Sequence, residues 1–313
     1  MSNRALTLPG TVLQKIAILG TEGRRWLADL GELIASLEQD WQIRVGASLM
    51  GGTEAFVAEV LTATGTRAIL KVAIPAHADN LGLGHEITAL TIADGQGYAR
   101  LLRSDLARRA FLLERLGLPL RELGYSTKDQ IALICATLRQ AWIALPPDAA
   151  LPTGASTAQW FARFIADLWE QLAQPCSRRA LDHALRCADA RANAFDPARV
   201  VLVHGDAHNN NTLQDLAQPT GRFKFVDPDG LAAEPAYDLG ILMREWIDEL
   251  LVAPVRLGRE RCAYLSHLTA TDQQAIWEWG YLQSICTGLL LLQVGQQQEG
   301  EQMLMVAESW ANA

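Results

Sequence analysis

The chain has 313 residues, half of them hydrophobic, and carries 27 Lys and Arg against 35 Asp and Glu for a net charge of −8. That length supports two substantial cores, and the acidic balance excludes a general nucleic-acid binder, which shows a basic stripe, while suiting a cationic small-molecule partner. No run reaches the ~18 apolar residues of a membrane span, and the opening MSNRALTLPG lacks the apolar stretch of a secretory signal. The expectation is a cytoplasmic chain without a membrane or nucleic-acid partner, a monomer or weak dimer. Five widely spaced cysteines with no CxxC pair read as buried, reduced thiols.

In chain order, Trp26, Leu27, Leu30, Leu33, Ile34 and Leu37 share one face of an amphipathic helix over Thr21 to Leu37. Strand-like runs follow at Trp41 to Ser48, Ala55 to Ala63, Arg67 to Ile74, Ala99 to Arg103 and Ala110 to Glu114, with a helix around Glu86 after the third. They predict a five-stranded antiparallel lobe with one inserted helix. Beyond Leu116 the pattern turns helical: Thr127 to about Ile143, Thr157 to Leu172, Arg178 to Ala194, Ala236 to Leu251, and a last stretch to about Val294. Thr127-x-x-Gln130 and Thr271-x-x-Gln274 read as capping boxes for the first and last of these. The reading is an α+β chain with a β-rich lobe over residues 1–116 and a mostly helical lobe over 117–313.

The densest chemistry lies between Val201 and Gly230, where VLVHGDAHNNNTL is followed by FKFVDPDG. Asp206, Asn211 and Asp227 sit at the ends of three short apolar runs, Val200 to Val203, Thr212 to Leu216 and Phe223 to Val226. A hairpin between the second and third returns Asp227 beside Asp206 and Asn211. Mg²⁺ prefers hard oxygen ligands and keeps positions for phosphate, so one carboxylate and one amide oxygen, Asp227 and Asn211, suit it. A carboxylate not committed to the metal, Asp206, can accept the proton of an attacking hydroxyl.

His204, Gly205, Asp206, His208 and Asn211, with Asp227 and Gly230 downstream, resemble the HGDxHxxN and DPxG signatures of the aminoglycoside phosphotransferase family. LLERL at Leu112 to Leu116 and DPDGLAAEPAYDLG at Asp227 to Gly240 resemble its streptomycin 6-kinase and hydroxyurea phosphotransferase branch. REW at Arg244 to Trp246 departs from the Arg-Asn pairing of that branch. The resemblance implies a bilobal protein-kinase-like fold, ATP and Mg²⁺ as cofactors, and phosphorylation of a cationic acceptor hydroxyl, that of streptomycin or a related aminoglycoside, or else of hydroxyurea or another small metabolite. It also implies a strand lysine held by a helix glutamate; TRAILKVAIP supplies Lys71, and HEITALTIA, fifteen residues on, supplies Glu86.

Gly51, Gly52 and Thr53, in the turn between the first two strands, offer backbone amides to the phosphates, although the turn is not GxGxxG and has an ordinary hairpin as its alternative. The resemblance makes Phe111 to Leu116 the hinge, with the backbone of Glu114 and Leu116 contacting adenine. It also assigns Asp238 to bracing the catalytic loop, beside its plain reading as a helix N-cap. Glu245, Asp248 and Glu249 fall one helical turn apart, as a solvated face or as a subsite for a guanidinium or ammonium group. Two other classes stay open: a metal-dependent hydrolase built on His204, Asp206, His208 and Asp227, and a nucleotide-binding module without transfer activity.

Overall fold

Alternation along Arg67–Ala73 sets the plan of the first part of the chain: Ala68, Leu70 and Val72 are buried on one face, which turns Lys71 to the other. In this computed structural model, which describes residues 6–50, 52, 54–75, 82–218 and 221–312, the chain divides into two compact units, Met1–Gly117 and Leu118–Ala313.

The first unit opens with helices α1 (Gly10–Ile18) and α2 (Gly20–Trp41), continues through strands β1 (Ile43–Ser48), β2 (Ala55–Thr62) and β3 (Arg67–Ala73), helix α3 (Gly82–Ala93), and closes with β4 (Leu101–Asp105) and β5 (Ala110–Glu114). The five strands form one antiparallel sheet in the order β1-β2-β3-β5-β4, as the alternation predicts. Leu30, Ile34 and Leu37 of α2 pack with Val12 and Ile16 of α1 against Ala58, Val60, Leu70, Val72 and Leu112 of the sheet. Each of the Leu, Ile and Val side chains contributes about 1.5–3 kcal/mol when fully buried. Helix α1 is absent from the sequence reading; Gly20, at φ 60°, separates it from α2.

The second unit holds α4 (Thr127–Ala141), β6 (Ile143–Ala144), α5 (Gly154–Gln171), α6 (Arg178–Asn193), β7 (Val201–Val203), β8 (Thr212–Gln214), β9 (Phe223–Phe225), β10 (Leu231–Ala233), α7 (Ala236–Arg244), α8 (Ile247–Val252), α9 (Pro254–Thr269), α10 (Gln273–Gln293) and α11 (Gln297–Ala311). The expected hairpin exists: β8 and β9 pair antiparallel, with Thr212 opposite Phe225. Strand β7 belongs instead to a second sheet, between β10 and β6.

Three local expectations are corrected. The N-cap of α4 is Ser126, whose hydroxyl accepts from the Asp129 N–H, and Thr127 donates to Glu249 instead. The N-cap of α10 is Asp272, which accepts from the Ala275 N–H, so each capping pattern lies one residue away from its reading. The single helix expected over Ala236 to Leu251 is two, because Trp246 adopts φ 52° and interrupts the ladder between α7 and α8.

Candidate active site

In the first unit, Lys71 projects from β3 toward α3 and donates to both Glu86 oxygens, at 2.8 and 2.9 Å. Lys71 is 15% exposed and Glu86 8%, so each charge is sheltered and needs the other. Phe111 of β5, opposite Lys71 in the sheet, lies under the ammonium with its ring centroid 5.4 Å away. Of the three turn residues proposed for the phosphates, Gly51 and Thr53 lie outside the described residues. Gly52 is half-buried, and a Cβ there would come within 3.2 Å of the Ala55 carbonyl oxygen. In the hinge segment the Glu114 N–H donates to the Arg100 carbonyl at 3.0 Å, and the Leu116 carbonyl accepts from the Arg115 guanidinium.

In the second unit, the loop after β7 is tied down from within. His204 is fully buried; its Nδ1 accepts from the Asp206 N–H at 3.0 Å, and its Nε2–H donates to the Val226 carbonyl at 2.9 Å. Burial lowers its pKa and keeps the ring neutral, as that hydrogen-bond pattern requires. The Val226 N–H in turn donates to the Asn211 carbonyl at 3.0 Å. Val226 is thus fastened to both ends of the loop, which sets the next residue, Asp227, beside it. Asp227 takes the left-handed conformation, φ 62°, tolerated by Asp more readily than by most side chains.

Asp206 is the focus of this loop. Its Oδ2 faces His208 Nε2 at 3.2 Å and Asn211 Nδ2 at 3.5 Å, and its Oδ1 receives Arg244 Nη2 at 3.1 Å. Burial pushes the carboxyl pKa up, but the His208 hydrogen bond and charge, then Arg244 and His204, outweigh it and hold the group at about 2. Asn211 Nδ2 also donates to the Asp206 carbonyl at 3.0 Å, which assigns the amide nitrogen and leaves Oδ1 at its other end.

Asp238 lies beneath. It is fully buried, with Oδ1 accepting from the Gly205 N–H at 2.8 Å and Oδ2 from the His204 N–H and Trp142 Nε1, both at 3.0 Å. Burial raises its pKa, and these three donors with His204 oppose the rise. The N-cap reading of Asp238 is therefore corrected: it sits inside α7 and receives amides of the loop after β7, not of its own helix. Gly205, at φ 94°, is required by the same arrangement, since a Cβ there would stand 2.6 Å from the Asp229 Cβ.

The structure separates the acidic trio. Glu249 accepts from Thr127 at 2.6 Å and lies 3.6 Å from Arg261, and Asp248 is exposed on α8. Glu245, left in the break before α8, has no side-chain hydrogen bond or ion pair among the described residues, and its charge reaches His208. Arg244 carries no site role in the sequence reading, where it stands only as part of REW. Its position in the last turn of α7, the helix that contains Asp238, is the available signal.

The hydrolase reading loses its ligands here. Both nitrogens of His204 are committed, and His208 accepts from the Asn210 N–H through Nδ1 while Nε2 meets Asp206. Among the described residues no three His, Cys, Asp or Glu side chains form a metal-binding group. All five cysteines are free and buried, with burial raising Cys135, Cys187 and Cys286 to about 12, so none offers a thiolate.

A five-stranded antiparallel unit carrying a Lys–Glu pair, followed by a helical unit carrying an HGDxHxxN loop, defines a bilobal kinase-like protein. A solved spectinomycin phosphotransferase, in complex with ADP and spectinomycin, shares this fold at a TM-score of 0.55 and 15% identity, over 90% of this chain and 97% of that one. Residues 40–295 match the family described as aminoglycoside/hydroxyurea antibiotic resistance kinase, and the chain belongs to that family. It is 28% identical to a streptomycin 6-kinase of Streptomyces glaucescens, over 84% of this chain and 83% of the relative. It is 30% identical to a hydroxyurea phosphotransferase of Kitasatospora aureofaciens, over 83% and 76% respectively. The resemblance read from the sequence is borne out, and the protein is a small-molecule phosphotransferase.

Proposed function

We propose that the protein transfers the γ-phosphoryl group of ATP to a hydroxyl of streptomycin or a related aminoglycoside. The observation that carries this reading is the geometry at Asp206, an ionised carboxylate oriented from both oxygens at the head of a loop that also presents Asn211 and Asp227. In this reading Asp206 orients the acceptor hydroxyl and takes its proton. A carboxylate held near 2 takes that proton late, in keeping with a loose transition state in which positioning and charge stabilisation dominate.

Lys71, fixed by Glu86, binds the α- and β-phosphates, and the turn containing Gly52 covers them. The Glu114 carbonyl and Leu116 N–H face adenine. Asn211 Oδ1 and the Asp227 carboxylate would hold Mg²⁺; one amide oxygen and one carboxylate fit a hard cation that prefers oxygen ligands. Bound there, the ion would supply positive charge toward the transferred group.

A cationic acceptor agrees with the net charge of −8 and with Glu245, whose carboxylate makes no side-chain hydrogen bond or ion pair among the described residues while its charge reaches His208 and Arg261. Hydroxyurea is the second candidate, favoured by the relative of that activity. The test is a panel of aminoglycosides and hydroxyurea incubated with ATP and Mg²⁺, with products read by mass spectrometry. Addition of one phosphoryl group to streptomycin supports the reading. Addition to hydroxyurea alone reassigns the acceptor, and phosphorylation of neither removes both.

A further inference from the structure

Arg244 ends α7, and α7 lies unusually close to α10. A Cβ on Gly240 would stand 2.9 Å from the Trp279 carbonyl carbon, and one on Gly280 would stand 2.6 Å from the Met243 Cβ. This approach brings Thr287 of α10 to Arg244, with Oγ1 2.7 Å from Nη1, while Nη2 lies 3.1 Å from Asp206 Oδ1. The Arg244 side chain is 17% exposed, and its buried Nε–H has no partner among the described residues. A buried donor without an acceptor lowers stability, so stability alone does not account for this side chain.

A carboxylate offers about four acceptor positions. His208 and Asn211 approach Oδ2, and Arg244 occupies one position on Oδ1. The position left on Oδ1 is the one an incoming hydroxyl can use. We propose that Arg244, anchored on Thr287, is a positioning residue that fixes the Asp206 carboxylate so that Oδ1 is presented to the acceptor hydroxyl. The inference rests on Asp206 acting as the base. The planar guanidinium spans two partners with separate nitrogens, which the single nitrogen of a lysine does not reproduce.

The test compares the full-length wild type with Arg244→Ala, Arg244→Lys, Thr287→Val and the Arg244→Ala/Thr287→Val double variant. Turnover of ATP is followed with streptomycin as acceptor and, in parallel, with water alone. Arg244→Ala is expected to lower kcat by about 10²-fold, the scale of a misplaced reacting group, with KM for ATP within about threefold of wild type. Millimolar guanidinium restores part of that loss, and Arg244→Lys stays impaired. Thr287→Val lowers kcat by about tenfold, as for one hydrogen bond to a charged group, and adds nothing in the Arg244→Ala background.

Wild-type kcat in Arg244→Ala, or losses in the two single variants that multiply in the double, overturns the proposal. Should Arg244→Ala melt early, Thr287→Val and Arg244→Lys decide by the same criteria. Asp206→Asn run alongside separates the two levels: an active Asp206→Asn removes the base itself, whereas an inactive Asp206→Asn beside a fully active Arg244→Ala removes only Arg244.

Discussion

The two charged centres are built on different principles. Lys71 and Glu86 join one strand to one helix, and both Glu86 oxygens lie within 2.9 Å of the ammonium. Asp206 is held by His208 and Asn211 from its own loop and by Arg244 from the end of α7, while its backbone is held by His204. In the first centre the geometry concentrates on one short ion pair. The second distributes its orientation over several donors, so removing a support weakens it by degrees.

Lys71→Met probes the pair and carries the largest of the expected losses from a supporting residue. It lowers kcat/KM for ATP by about 10²- to 10³-fold, the range for deleting a group that stabilises transition-state charge. Leaving Glu86 buried without its cation also lowers stability by about 3–5 kcal/mol, read as a drop in Tm. An unchanged Tm shows the pair to be less sheltered than its geometry indicates.

Asp238→Asn probes the distributed centre from beneath. Its amide would turn N–H groups toward donors that now meet a carboxylate, costing about 1–3 kcal/mol, or several degrees in Tm for a unit of this size. Some phosphoryl transfer is retained, because Asp206 keeps its own partners. Complete loss of transfer with an intact melting profile would show that the loop has no such reserve.

The smallest effect concerns pH. His183 on α6 packs edge-on against Tyr281, its Nε2 is buried without a partner among the described residues, and burial lowers its pKa below 6.5. A depressed folded-state pKa gives stability that is present above about pH 6.5 and lost as pH falls through the folded value. The wild type therefore loses Tm on acidification in that window, and His183→Asn loses less. Equal slopes contradict the assignment.

Much of the first unit was legible because period-two alternation is a local signal that the sheet translates directly into position, while the Lys71–Glu86 pair was legible through the family resemblance, which asks for a strand lysine and a helix glutamate. The loop residues Asp206, Asn211 and Asp227 were legible for a similar reason: β8 and β9 form a short hairpin, and Val226 fastens its far end to Asn211 and His204. Arg244 was not legible, since its contact with Asp206 depends on the glycine-mediated approach of α7 to α10 and on Thr287, 43 residues away. The helix break at Trp246 was also hidden, because nothing in REWIDEL marks a left-handed residue. It scattered an acidic trio that helical spacing would have gathered.

In the proposed reaction Asp206 delivers an acceptor hydroxyl to ATP. The most direct test is phosphoryl transfer to streptomycin by wild type and Asp206→Asn, with ATP and Mg²⁺ saturating and the product followed by mass spectrometry. The expected result is a singly phosphorylated product from the wild type and a kcat lower by about 10²- to 10⁴-fold in the variant, with the fold intact. Transfer by Asp206→Asn at the wild-type rate would contradict it.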